Sequence, residues 1–277
     1  MQKLITDLTY PLVKAARNSF GGKDRSAYQP FIIISSGRAG STFLVERLNS
    51  HPKMICFAEV MHPNTIGWYS EWRPRSGRMR RLRDTAPKAF WLNQVWDRQW
   101  RGTQAVGAKI LFLGLTAQLD FLRDLLTDVP NAKVIFLSRR NVLSYVVSAL
   151  AAKSTGQYQL REGEVAPNTA TVKIEPEQLS AAQAMMKASA LAVDHLLPHE
   201  RVLKITYEDL VGKTAQVDAQ LLNFLGISHA PLASGIVKLS NRPISERIEN
   251  YAALAAHFEG TGYAQYFEDR GGDAQKE

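Results

Sequence analysis

The segment from Phe31 to Leu48 contains the side chains best suited to bind an anion. An apolar run precedes the polar sequence Ser-Gly-Arg-Ala-Gly-Ser-Thr, and an amphipathic run follows it, which predicts a strand, a turn and a helix. Backbone N–H groups of the turn from Gly37 to Ser41 and of the first helical turn would point at one site. Arg38, Ser41 and Thr42 add side-chain donors there. A phosphate group is the expected ligand.

A second segment with the same order of elements lies at 131–148. It predicts a strand, a polar turn and a helix, and Arg139 and Arg140 stand at the end of the strand. Ser148 follows Arg140 by eight residues and lies one to two turns into the predicted helix. A guanidinium group and a hydroxyl suit a second phosphate. Because successive side chains of a strand point to opposite faces, Arg139 is an alternative to Arg140.

The first loop is not that of a nucleoside triphosphatase, because it lacks the lysine of the pattern Gly-x-x-x-x-Gly-Lys-Ser/Thr. It resembles the 5′-phosphosulfate loop of sulfotransferases that use 3′-phosphoadenosine 5′-phosphosulfate (PAPS). The second segment resembles their 3′-phosphate element, and the Tyr-Glu-Asp-Leu sequence at 207–210 resembles a later part of the same family. The resemblance implies PAPS as donor and adenosine 3′,5′-bisphosphate (PAP) as product. The residues that it implies for binding them are Ser36, Gly37, Arg38, Ala39, Gly40, Ser41, Thr42, Arg140, Ser148 and, with a structural role as the default, Tyr207.

Sulfuryl transfer to a hydroxyl group requires a base near the acceptor oxygen. Glu59 is the expected base, because tyrosylprotein-type members of the resembled family have a catalytic glutamate at a similar spacing behind the loop. His62 is an alternative base or an acceptor-orienting group, and pairing of Glu59 with an arginine is the structural alternative. The resemblance also implies that Arg38 and Lys109 stabilise the leaving group. No metal is expected, since the six histidines are scattered and there is one cysteine.

The elements that must position these residues alternate along the chain. This alternation predicts an α/β protein with a P-loop-like three-layer α/β/α architecture and a central, mainly parallel sheet. Ligands then lie at the carboxyl ends of the strands. One sulfotransferase domain is expected over 1–277, with a frayed tail after residue 269. The strands are expected at 31–35, 105–110, 133–138 and 201–205, and the helices at 42–50, 116–127, 142–153, 178–196 and 215–225.

The region at 60–104 is rich in both arginine and tryptophan. Indoles and guanidinium groups suit a saccharide, an anionic headgroup or a nucleic acid. We interpret 60–104 as an acceptor-binding insertion. The alternative is that the tryptophans fill a core and the arginines form its solvated face. The residues concerned are Trp68, Trp72, Trp91, Trp96, Trp100, Arg73, Arg75, Arg78, Arg80, Arg81 and Arg83.

Composition limits the class of protein and its location. The net charge of +8 fits anionic ligands, and the single cysteine, Cys56, excludes an internal disulfide. The chain has no apolar run of about 18 residues, so a cytoplasmic enzyme is expected. Apolar residues at helical spacing between Leu4 and Ala16 leave peripheral membrane contact possible. The expected partner is a small-molecule or saccharide acceptor rather than a nucleic acid, and the oligomeric state is open.

The favoured hypothesis is a PAPS-dependent sulfotransferase that acts by direct in-line transfer. Its acceptor is expected to be a carbohydrate, a glycolipid or a small metabolite. An ATP-dependent P-loop kinase is the enzymatic alternative, although the loop lacks the kinase-type lysine. A non-catalytic protein that binds a polyanion or a nucleic acid is the alternative from another class.

Overall fold

A central sheet of five parallel strands organises the molecule. The computed structural model describes residues 25–68, 77–111, 115–165 and 171–268. In this part of the chain the sheet has the strand order β2-β3-β1-β4-β6, and a short antiparallel pair, β5 with β7, lies apart from it. The strands are β1 (Gln29–Ser35), β2 (Met54–Glu59), β3 (Ala105–Leu111), β4 (Lys133–Ser138), β5 (Leu160–Arg161), β6 (Val202–Thr206) and β7 (Ile236–Val237).

Helices connect these strands and cover the sheet. The predicted helices are confirmed with ends shifted by one or two residues, and the four predicted strands are confirmed as β1, β3, β4 and β6. Strand β2, with the sequence Met-Ile-Cys-Phe-Ala-Glu, was not predicted. The helices of the described residues are α1 (Ser41–Ser50), α2 (Gly77–Thr85), α3 (Pro87–Phe90), α4 (Leu115–Asp128), α5 (Val142–Thr155), α6 (Pro176–Leu196), α7 (Tyr207–Gly212), α8 (Thr214–Leu225) and α9 (Tyr251–His257).

The sheet has one core on each of its two faces. Ile32 and Ile34 of β1 pack on the side of α4, which we call the α4 face. Phe31 and Ile33 pack on the side of α1 and α8, which we call the α1 face. This alternation follows from the two-residue period of a strand, and it explains why β1 is apolar without interruption. The predicted three-layer α/β/α architecture is therefore confirmed.

Three of the five tryptophans are core residues of the α4 face. Trp68, Trp91 and Trp96 are 4%, 0% and 1% exposed. Trp91 packs edge to face against Trp96, with ring centroids 5.7 Å apart, and Trp68 packs in the same way against Phe57 at 5.0 Å. For these residues the structure supports the packing alternative rather than a surface for stacking an acceptor.

Trp100 is half-exposed but lies far from the predicted phosphate loop. It precedes β3. Next to the start of that strand, the N–H of Gln104 donates to the carbonyl of Lys53, just before β2, at 2.7 Å. The carbonyl of Gln104 accepts from the N–H of Gln29, at the start of β1, at 2.8 Å. Because the three strands are parallel, these residues mark the amino-terminal edge of the sheet, whereas the loop at 36–40 follows the carboxyl end of β1. Trp100 is therefore separated from the loop by the length of the sheet, and an acceptor-binding role of 60–104 stays a prediction.

Gly107 allows β1 and β3 to pack closely on the α1 face. A Cβ atom at Gly107 would lie 2.5 Å from the ring of Phe31, which is fully buried. We expect Gly107→Ala to lower the free energy of unfolding by about 1–3 kcal/mol through overpacking. Urea unfolding measures this, and Gly102→Ala is the matched control because its Cβ would meet no atom within 4 Å. Equal stability of the two variants would contradict the prediction.

Three predictions concern residues outside the described part of the chain. These are the amphipathic pattern between Leu4 and Ala16, the tail after residue 269, and the share of the arginine- and tryptophan-rich region that consists of Trp72, Arg73 and Arg75. Among the described residues, no helix has the length and the apolar character needed to span a bilayer.

Candidate active site

The loop between β1 and α1 has an unusual backbone. Gly37, Arg38 and Gly40 have φ angles of +79°, +42° and +77°. Glycine adopts such angles freely, but for an arginine this conformation is strained, and strain of this kind concentrates at functional sites. Successive left-handed residues turn neighbouring backbone N–H groups toward one side, which favours anion binding.

Helix α1 begins directly after this loop with its N-terminus open. Gly40 is the residue before the helix and, as a glycine, has no side chain to cap the first helical turn. A Cβ atom at Gly40 would lie 2.9 Å from the ring of Tyr207, so this position requires glycine for both conformation and space. Ala39 and Ser41 are buried, and Thr42 is partly exposed. The open N–H groups and the helix dipole can therefore receive an anion.

The side chain of Arg38 reaches across the loop toward α5. Its Nε donates to the hydroxyl of Ser148 at 3.1 Å, and its Nη1 donates to the carbonyl of Tyr158 at 2.7 Å. Burial lowers the pKa of Arg38, and the charge of Arg139 lowers it further. The guanidinium nevertheless stays a cation at neutral pH. The structure thus brings together Arg38 and Ser148, which the sequence had assigned to different phosphate elements.

Arg139, rather than Arg140, faces the loop. The Nη1 of Arg139 donates to the carbonyl of Arg38 at 3.0 Å, and its guanidinium lies 4.4 Å from the ring centroid of Tyr207. The side chain of Arg140 is 58% exposed and pairs with Asp209 at 2.8 Å. The structure therefore places the Arg139 side chain at the loop and the Arg140 side chain at Asp209 of α7.

Arg247 joins the same cationic cluster and was missed in the sequence. It ends a short helical turn, Ile244–Arg247, in a polar stretch that also contains Arg242. Burial lowers the pKa of Arg247, and the nearby charges of Arg139 and Arg242 lower it further. Among the described residues, neither Arg38 nor Arg247 forms an ion pair. A cluster of partly buried cations of this kind is stabilised by an anionic ligand.

Glu59 and Lys109 form an ion pair beside the first turn of α1. The Nζ of Lys109 lies 2.9 Å from Oε1 of Glu59 and 3.3 Å from the hydroxyl of Thr42. The Lys109 side chain is 2% exposed, whereas that of Glu59 is 29% exposed. A ligand at the loop can therefore meet both a fixed cation and an accessible carboxylate.

A bulge in β2 determines the direction of Glu59. Phe57 lies opposite Ala108 and Glu59 lies opposite Lys109, so one extra residue separates the two pairs on β2. Without the bulge, Glu59 would face the same side as Phe57, which is the α4 face. Gly67 packs against this bulge, because its N–H donates to the carbonyl of Glu59 at 3.0 Å and a Cβ there would lie 2.6 Å from the Glu59 nitrogen.

His62 lies in the turn that follows β2. Its N–H donates to the carbonyl of Glu59 at 3.2 Å, and its Nδ1 accepts from the N–H of Asn64 at 3.2 Å. One ring nitrogen is thus used within the turn. The contacts of His62 support a structural role in the turn more directly than a role as base.

Comparisons with known proteins agree on one family. A model described as "Sulfotransferase family" matches residues 30–231. Nodulation protein H of Rhizobium meliloti is 27% identical over 246 residues, which cover 87% of this chain and 95% of that protein. Nodulation protein H of Rhizobium tropici is 27% identical over 252 residues, covering 87% and 93%.

Solved structures of lower identity were also found. A sulfotransferase from Alicyclobacillus acidocaldarius is 17% identical and has a TM-score of 0.48, covering 87% of this chain and 93% of that chain. Mouse sulfotransferase SULT7A1 complexed with PAP is 14% identical and has a TM-score of 0.42, covering 73% and 60%.

Proposed function

Because this chain belongs to the sulfotransferase family, we propose that it transfers a sulfuryl group from PAPS to a hydroxyl group of a carbohydrate, a glycolipid or a small metabolite. The observation on which the proposal rests most is the ion pair of Glu59 with Lys109 beside Thr42, at the open N-terminus of α1. At this point a cation, an accessible carboxylate and a helix N-terminus that can bind an anion lie together. These are the groups that transfer to a hydroxyl requires.

The donor would be held at both of its phosphate ends. The loop at 36–42 would receive the phosphosulfate, and Arg139, Arg247 and Ser148 would receive the 3′-phosphate. The partial burial of Arg247 next to the charge of Arg139 supports the assignment of the 3′-phosphate, because a phosphate would supply the compensating negative charge. Tyr207 would act mainly through packing, under Gly40 and against the guanidinium of Arg139.

In the proposed reaction the acceptor oxygen attacks sulfur as its proton passes to the carboxylate of Glu59. The bond between sulfur and the 5′-phosphate oxygen breaks, and PAP leaves with the electron pair of that bond. Arg38 and Lys109 would stabilise the negative charge that develops on this oxygen. Lys109 also orients the Glu59 carboxylate through the ion pair. Transfer without a metal stays a prediction, and retained turnover in excess EDTA would support it.

Calorimetric titration with PAP and with ATP tests the donor assignment. We expect PAP to bind the wild-type protein with a Kd of about 1 μM or less, and ATP to bind at least about tenfold more weakly, because ATP lacks the 3′-phosphate. Tighter binding of ATP, or binding of neither nucleotide, would overturn the proposed donor.

The same titration separates Arg139 from Arg140. We expect Arg139→Ala to weaken PAP binding by about 10- to 100-fold, the usual effect of losing a hydrogen bond to a charged group. Arg140→Ala is the matched control and should change the affinity by less than about threefold, because its guanidinium is exposed and paired with Asp209. A larger loss in Arg140→Ala than in Arg139→Ala would reverse the assignment.

A further inference from the structure

Helix α2 is fixed to the turn that follows Glu59. Arg83 of this helix is 2% exposed, and its guanidinium donates to the carbonyls of His62, Pro63 and Thr65, the last two at 3.1 and 2.7 Å. A buried guanidinium with several carbonyl partners is costly to displace. The helix and the turn therefore form one unit.

The same turn is attached to the backbone of Glu59. The N–H groups of His62 and Gly67 both donate to the Glu59 carbonyl, at 3.2 and 3.0 Å. Arg80 of α2 adds a contact, because its Nη1 donates to the carbonyl of Asn64 at 3.3 Å. The position of α2 relative to the proposed base is thus set by a continuous series of hydrogen bonds.

Helix α2 presents positive charge that the described part of the chain does not neutralise. Arg78 and Arg81 are exposed and lie three residues apart, so they share one face of the helix. Among the described residues, none of Arg78, Arg80 and Arg81 forms an ion pair, and the one acidic residue of the helix, Asp84, pairs with Arg83 at 2.7 Å. Guanidinium groups that lack an ion-pair partner within the described residues can bind a carboxylate, a phosphate or a sulfate of a ligand.

We infer that the acceptor is an anionic saccharide, in which an acidic group binds Arg78 and Arg81 while a neighbouring hydroxyl lies at Glu59. This inference depends on the proposed function. A saccharide is favoured over a bilayer surface because the apolar side chains of α2, Met79 and Leu82, pack against the core. The helix therefore offers charges without an exposed apolar anchor, whereas stable binding to a bilayer generally combines the two.

Titration of the PAP-loaded protein with two matched tetrasaccharides tests the inference. A hyaluronan tetrasaccharide alternates glucuronate with N-acetylglucosamine, whereas a chitin tetrasaccharide has no acidic group. We expect the hyaluronan fragment to bind at least about tenfold more tightly, with an affinity that falls as salt rises. This preference should be lost in the double variant Arg78→Gln/Arg81→Gln, since charge-assisted hydrogen bonds are stronger than neutral ones.

The matched control is Arg101→Gln, which removes one exposed arginine at the opposite edge of the sheet and should retain the preference. Equal binding of both tetrasaccharides, binding of neither, or an unchanged preference in the double variant would overturn the inference. A third result would also overturn the inference. If the wild-type protein bound phosphatidylglycerol vesicles but not hyaluronan, and the double variant lost the binding to vesicles, Arg78 and Arg81 would be assigned to a lipid. PAP binding distinguishes failure of this inference from failure of the proposed function. If the wild-type protein did not bind PAP, the proposed sulfotransferase function would be refuted; if it bound PAP but not hyaluronan, only the anionic acceptor would be refuted.

Discussion

Glu59→Gln is expected to slow sulfuryl transfer by about 10²- to 10⁴-fold, the usual contribution of a general base. Glutamine keeps the size of the side chain, and its carbonyl can still accept a hydrogen bond from Lys109, so the site should stay folded. The variant lacks a group that can take the acceptor proton. Affinity for PAP should stay within about twofold, since the carboxylate would act on the acceptor. Transfer of ³⁵S-sulfate from labelled PAPS to an acceptor measures the rate, and calorimetry measures the affinity.

The control for this variant is Glu162→Gln, which changes an exposed carboxylate in the turn after β5. It should leave turnover unchanged. Turnover of Glu59→Gln close to that of the wild type would refute the role as base. A parallel loss of PAP affinity and of turnover would instead indicate that Glu59 acts by holding the donor site.

Lys109→Met is expected to slow transfer by about 10²- to 10³-fold, the range seen when one fixed stabilising group is removed from an active site. The Lys109 side chain is 2% exposed and directed at both Glu59 and Thr42, so its charge is held where the leaving oxygen would lie. Methionine has a similar length and no charge. Removing one partner of a buried ion pair leaves the other charge unpaired, so urea unfolding of Lys109→Met is measured beside its turnover; the charge left behind, on Glu59, is 29% exposed and can be hydrated.

Lys187→Met, an exposed position on α6, is the control for this substitution. The double variant Glu59→Gln/Lys109→Met distinguishes two roles of the ion pair. If Glu59 served only to orient Lys109, the double variant would be no slower than Lys109→Met alone. We expect it to be slower, because a base and a leaving-group cation act on different bonds. Wild-type turnover in Lys109→Met would exclude the proposed role of the lysine.

Most of the elements could be predicted from the sequence because their signals are local. The apolar run before Gly37 and the polar turn after it determined β1 and the start of α1. Helical periodicity located α6 within two residues of its observed start. Strand β2 was missed because a six-residue, mostly apolar run has no periodicity that distinguishes a strand from a helix, and it becomes a strand by pairing with β3.

The composition of 60–104 was correctly observed but could not reveal its packing. An indole can stack on a saccharide or fill a core, and the sequence pattern is the same in both cases. Burial decided the question for Trp68, Trp91 and Trp96, because they meet apolar residues distant in the chain on the α4 face. The position of Trp100 at the amino-terminal edge likewise depends on which strands pair.

Local sequence patterns were enough to predict the strand–loop–helix order, the glycines of the loop and the charged residues at the strand ends. Which of these charged residues face one another depends on how distant segments pack. Arg139 faces the loop whereas Arg140 pairs with Asp209 of α7, and Glu59 faces Lys109 because a bulge reverses the alternation of β2. Arg247 joins the site from a distant segment. Local patterns set the elements, whereas side-chain direction depends on register and strand ends, which non-local pairing determines.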